Sequence, residues 1–179
     1  MSYDDITISP PTIEEKMNYL GFATKNELAI SKCLKIASAE SRTLGDYIEA
    51  LKVRSVNLII FNLLSAIGFT LVYMDNRILL TNHLILDLSM MLFMTSIMVT
   101  TYAMYHSGVY RLYMDRNSRH NLSLCKDDSE ISIYILYSIV IANEKNVESY
   151  KFSKLMVFIG WLAFLSNMII NFVYIVLFN

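Results

Sequence analysis

An all-α membrane protein, with three transmembrane helices and a cytoplasmic helical layer, is the fold class this sequence predicts. Three observations predict it. Hydrophobic residues make up 55% of the 179 and charged residues only 17%, whereas a soluble domain carries about 45–50% and about 25%. Three apolar stretches, 55–74, 84–105 and 155–178, reach the roughly 20 residues that a helix needs to cross a hydrocarbon core of about 30 Å. Two prolines and five glycines leave the rest of the chain free to form long helices.

Taken in order, residues 1–11 are polar, hold both prolines and read as a tail. Their acidic start lacks the basic region and apolar run of a signal peptide. Thr12-Ile13-Glu14-Glu15 is a capping-box pattern: the Thr12 hydroxyl accepts from the Glu15 amide while the Glu15 carboxylate reaches back. It opens a short helix that Gly21 is suited to end. Thr24-Lys25-Asn26-Glu27 repeats the pattern and opens a second helix. There Leu28, Ile30, Cys33, Leu34, Ile36 and Ala37 form a stripe at helical spacing. This helix passes Gly45, where a bend is expected, and enters the membrane after Arg54. The expected divisions are therefore N-terminal cytoplasmic helices at 1–54, a transmembrane hairpin at 55–105, a cytoplasmic helical segment at 106–154 and a third transmembrane helix at 155–179.

Charge sets the orientation. Lys16, Lys25, Lys32, Lys35, Arg42, Lys52 and Arg54 precede the first span, and only Arg77 lies in the turn after it. Arg111, Arg116, Arg119, Lys126, Lys145, Lys151 and Lys154 lie between the second and third spans, and none of the 15 basic residues follows the third. The positive-inside rule then puts the N-terminus and 106–154 in the cytoplasm. The 75–83 turn and Asn179 face the periplasm of an inner-membrane, multi-pass protein. Within 106–154, the first part extends the second span as a helix. The apolar run 131–142 is too short to span. Its isoleucines and tyrosines also fit a strand, but no alternating partner exists elsewhere, which favours a helix packed on the 28–37 stripe. Asp127, Asp128 and Glu130 suit its N-terminus.

No reaction centre is visible. His83, His106 and His120 make no metal spacing, and Cys33 and Cys125 read as reduced thiols packed in the cytoplasmic layer. No cofactor is expected. Arg116-Asn117-Ser118-Arg119-His120 invites comparison with the Arg…His pair of helical ribonucleases, but three intervening residues replace that family's four to six. The net charge of −1 offers no basic excess for nucleic acid. The polar residues inside the spans are the candidates. Asn167 and Asn171 share a face with Gly160 and Ala163, and Asn57, Asn62, Ser65 and Gly68 mark the first span. Small and polar residues in lipid face another helix or water, so these residues are candidates for a helix interface, within one subunit or between subunits, or for a pore lining. Asp87 is the acid inside a span. Carboxylates there are often functional, but an i,i+4 pair with His83 would hold it at the outer interface.

The stretch "RTLGDYIEALKVRSVNLIIFNLLSAIGFTL", a polar helix running straight into lipid, resembles small transmembrane effectors of bacterial antiphage systems. These are the SLATT family (SMODS and SLOG-associating two-transmembrane effectors) and the transmembrane effectors of Pycsar systems. The cytoplasmic segment ending "IANEKNVESYKFSKL" and a closing third span look more like the Pycsar effectors. The resemblance covers roughly 40–179 and is one of organisation. Where Pycsar effectors carry Ala-Asp-x-Lys-Ala, this chain has Glu49-Ala50-Leu51-Lys52-Val53, and no ligand-binding residue is carried over. The resemblance implies a non-enzymatic homo-oligomer in the lipid bilayer that permeabilises the membrane on a cytoplasmic signal, from a nucleotide or a protein partner. Two other readings stand beside it: an adaptor anchoring a soluble partner, and a small ion channel or transporter.

Overall fold

A computed structural model describes residues 11–76, 83–107 and 122–178. They form four helices and, among the described residues, no strand: α1 (Ile13–Tyr19), α2 (Glu27–Asn76), α3 (His83–His106) and α4 (Asp128–Phe178). Three of these, α2, α3 and α4, are long and apolar enough to cross a membrane.

The local rules explain the ends. The Thr12 box forms as the sequence predicts, with the Thr12 hydroxyl accepting from the Glu15 amide at 3.2 Å and the Glu15 carboxylate accepting from the Thr12 amide at 2.6 Å. Gly21 follows α1 at φ 75°, a conformation that costs glycine little. The second expected box does not cap α2. Asn26 does, its side-chain oxygen accepting from the Ala29 amide at 3.2 Å, while the Thr24 carbonyl accepts from the Asn26 amide at 2.9 Å. Asn caps as well as Thr, and starting at Asn26 puts Ile30 one turn in, where it is buried. Gly45 lies within α2 with open space around its Cα and does not end it. Asp127 caps α4, its carboxylate accepting from the Glu130 amide at 2.7 Å.

α4 joins two stretches that hydropathy separates. The run 131–142 is helical and continues without interruption into the third apolar stretch. No glycine or proline lies between Asp128 and Gly160 to stop it. The proposed extension of the second span past Ser107, the 77–82 turn and the Arg116–His120 stretch lie outside the described residues, as does the tail 1–10.

The chain divides into two compact units. Unit 1 comprises Met1–Thr43 and Tyr110–Lys145. Its buried apolar side chains are Ile30 and Ala37 of α2 and Ile133 and Leu136 of α4, and the 28–37 and 131–142 segments both belong to this unit. Leu28 and Ile36 of the expected stripe are nonetheless exposed. Asn143 Nδ2 donates to the Ala37 carbonyl at 3.2 Å, and Cys33 and Cys125 are both half-buried. Unit 2 comprises Leu44–Val109 and Asn146–Asn179. Leu51, Ala103 and Val157, one from each helix, form its apolar cluster with Tyr150, Met156 and Trp161 against it.

Candidate functional site

The three helices of unit 2 meet along a seam with a seven-residue repeat. On α4 one buried or half-buried row runs through Asn146, Tyr150, Ser153, Val157, Gly160, Phe164, Asn167, Asn171 and Tyr174, with Ala163 buried beside it. Steps of four and three alternate throughout. On α2 the same alternation runs through Ile48, Leu51, Ser55, Leu58, Asn62, Ser65 and Phe69, and on α3 through Ser89, Phe93, Ser96, Thr100 and Ala103. This is the repeat of left-handed helix packing. Here many of its members are small or polar, the composition in which helix contacts between membrane spans are enriched.

The central layer ties all three helices. Asn62 Nδ2 of α2 donates to Ser96 Oγ of α3 at 2.9 Å and to the Leu58 carbonyl at 2.9 Å. Ser96 Oγ donates to the Gly160 carbonyl of α4 at 2.8 Å. Thr100 Oγ1 donates to the Ser96 carbonyl at 2.6 Å. Gly160 has no room for a side chain: a Cβ there would meet Thr100 Oγ1 at 2.5 Å and Leu58 Cδ2 at 3.2 Å. Asn62 Oδ1 and Ser153 Oγ are buried and accept no hydrogen bond.

A second layer joins α3 to α4. Ser89 Oγ donates to Asn167 Oδ1 at 2.6 Å. Asn171 Nδ2 donates to Ser89 Oγ at 2.8 Å, and its other hydrogen reaches the backbone and side-chain oxygens of Asn167, each at 2.8 Å. Four polar groups thus satisfy one another inside one chain. They form the floor of a groove of about 300 Å³, walled by Ala66, Phe69, Leu86, Met90 and Phe93.

The residues singled out from sequence therefore fall into two sets. Asn62, Gly160, Ala163, Asn167 and Asn171 are buried in the seam, and Ser65 is half-buried with its hydroxyl donating to the Phe61 carbonyl. Asn57, Gly68 and Asp87 lie on the exposed surface of unit 2. Asp87 stands among exposed Leu86, Leu88, Met90 and Met91. Its expected pairing with His83 lies outside the described side chains. Sequence reasoning missed Ser89, Ser96 and Thr100, the α3 partners of the seam. The seven-residue spacing of Ser89 and Ser96 was the available signal.

Unit 1 carries a different electrostatic pattern. Lys25 Nζ lies 2.8 Å from Glu130 and 3.7 Å from Asp127. The Ser129 hydroxyl and Glu130 amide hold the Asp127 carboxyl below its ordinary value. The Lys126 amide and Lys25 do the same for Glu130, and the bond to Glu130 raises Lys25. Lys16 is the one charged side chain buried among the described residues. Burial pushes its ammonium below the ordinary value, opposed by Tyr134 and Cys125.

No family model matches the chain, and comparisons with curated proteins and with solved structures found no match. Among the described residues, no group of His, Cys, Asp and Glu is placed to hold a metal.

Proposed function

We propose that this chain is an oligomeric inner-membrane effector of bacterial antiphage defence, which permeabilises or depolarises the membrane when a signal reaches its cytoplasmic part. Unit 2 is the membrane part and unit 1 the cytoplasmic part. The N-terminus is cytoplasmic and Asn179 periplasmic, as the distribution of Lys and Arg suggests. The observation that carries the assembly reading is Asp87. Asp87 is exposed beside Leu86, Leu88, Met90 and Met91. Hydrocarbon offers a carboxylate no partner; a neighbouring subunit or a wet lumen does, as would His83 at the outer interface.

The test is dye release from liposomes together with growth arrest on expression. The natural chain releases dye and arrests growth when activated. Asp87→Leu inserts normally but loses both. Equal leak and toxicity in Asp87→Leu would remove the support that Asp87 gives, and a chain that neither leaks nor harms cells would overturn the effector reading.

Exposed Leu28, Ile36 and Leu124 in unit 1 favour a second reading, an adaptor that anchors a soluble protein. In that case the chain is harmless alone, and Leu28→Glu with Ile36→Glu abolishes co-purification of the partner.

A further inference from the structure

α1 has seven residues. A helix so short does not stand alone in water, because nucleation costs more than its few hydrogen bonds return. The capping box satisfies its first turn, but its persistence depends on α4. Lys16 and Tyr19 make that contact. Tyr19 Oη donates to Glu144 at 2.6 Å, and its ring meets Tyr137 edge-on with centres 5.3 Å apart. Lys16 is only 5% exposed. Its ammonium sits 4.1 Å from the centre of the Tyr134 ring and 6.0 Å from that of Tyr137.

This is an unusual way to fasten a helix. The ion pairs with Asp127 and Glu130 belong to Lys25, not to Lys16. Ring faces attract an ammonium, but they return only part of what removal from water costs it. The depressed Lys16 ammonium is consistent with that deficit. A methionine would fill the same channel without the charge. The Gly21 turn beyond α1, at φ 75°, gives the chain a pivot next to the seat.

We propose that α1 is a weakly fastened strap on α4, folding as it docks and unfolding as it leaves, with the buried charge of Lys16 setting its release. Docked, it covers the Tyr134 and Tyr137 face of α4. Released, it uncovers that face and the neighbouring part of unit 1. If unit 1 receives the signal, as the effector reading has it, the strap restrains the resting state.

The experiment is amide exchange, read by mass spectrometry on the full chain in lipid nanodiscs, at residues 15–20. Lys16→Met removes the charge and keeps the stem, so exchange there slows several-fold. Lys16→Glu sets a carboxylate against the electron-rich ring faces, so exchange rises to the rate of an unstructured peptide. Amides of 146–176 serve as the reference. If Lys16→Glu loses protection there too, the Lys16→Met arm decides alone. Faster exchange in Lys16→Met than in the natural chain would overturn the proposal, because the charge would then be the fastening rather than its weakness; so would no change. Growth arrest separates this inference from the effector reading on which its consequence rests. The order Lys16→Glu, natural chain, Lys16→Met in toxicity supports both. The exchange order without the toxicity order leaves the strap standing and removes its control of effector activity, whereas absence of growth arrest in all three chains removes the effector reading itself.

Discussion

The two units differ in what they bury. Beside Lys16, unit 1 hides Ile30, Ala37, Ile133 and Leu136, and it keeps Lys25 and Asp127 at its exterior with Glu130 half-buried between them. Unit 2 fully buries Asn62, Asn146, Asn171, Thr100, Ser55, Ser96, Ser107 and Ser153. It exposes Ile60, Phe61, Leu64, Ile67, Met90, Met98, Leu162, Ile169 and Phe172. The same α2 and α4 contribute to both. A helix therefore has no fixed inside residue type. Water rewards burial of apolar area, while lipid gives apolar side chains nothing for facing each other and leaves packing and hydrogen bonds to choose the contact.

That contrast can be broken in unit 2 most directly at Gly160. Gly160→Ala drives a Cβ to 2.5 Å from Thr100 Oγ1 and forces Thr100 off the Ser96 carbonyl. We expect a loss of about 1–3 kcal/mol, the range for overpacking, read by reversible unfolding in mixed micelles. Gly68→Ala, with nothing within 4 Å, should leave the curve in place. A Gly160→Ala curve that overlays the natural one would mean that the central layer does not close the bundle.

A smaller loss, about 1 kcal/mol, is expected when Asn167 and Asn171 both become Leu, since interhelical polar contacts average about 0.6 kcal/mol. The bonds lost run to Ser89 of the same chain, so the loss should appear in monomer unfolding. An effect confined to oligomer size would place the amides between subunits instead.

Unit 1 should answer to pH where unit 2 does not. Asp127 and Glu130 titrate below their ordinary values in the folded state. Their contribution is complete above about pH 4–5, where the unfolded groups are ionised, and is lost as pH falls through the depressed folded values. Amide protection, taken relative to the unstructured rate at each pH, should therefore fall at 128–136 before it falls at 157–171 as the solution is acidified. Lys25→Met should bring that fall to a higher pH. Simultaneous loss in both units would erase the distinction. The smallest effect is expected at Ile169, 62% exposed on unit 2: Ile169→Leu should change unfolding by less than about 0.5 kcal/mol.

How much of this was legible depended on whether residues announced themselves by type or by spacing. The Thr12 cap and the apolar lengths of the three spans are local signals and could be read directly. The cap of α2 could not be fixed, because Thr24 and Asn26 are both good caps and the choice is made by where Ile30 must be buried. The continuity of α4 was hidden by its polar middle, Asn143 to Lys154, which lowers hydropathy without breaking a helix. Asn167 and Asn171 stood out because amides are rare in lipid. Ser89, Ser96 and Thr100 did not, because serine and threonine in apolar helices commonly satisfy themselves on the preceding turn, as Thr95 does with the Met91 carbonyl. Only the partner helix distinguishes Ser96 from Thr95.

Gly160 has one more consequence, for the order in which the chain is made. The positions of α4 one and two heptads away, Asn146, Ser153, Asn167 and Tyr174, all carry side chains. Sliding α4 by a heptad along the α2–α3 hairpin would bring one of them against Thr100 and Leu58, where even a methyl group does not fit. An apolar rod that follows the α2–α3 hairpin has no reason of its own to stop at any given depth relative to it. The missing side chain acts as an index mark on that rod, admitting a single axial alignment and delivering the carbonyl that Ser96 is waiting to receive.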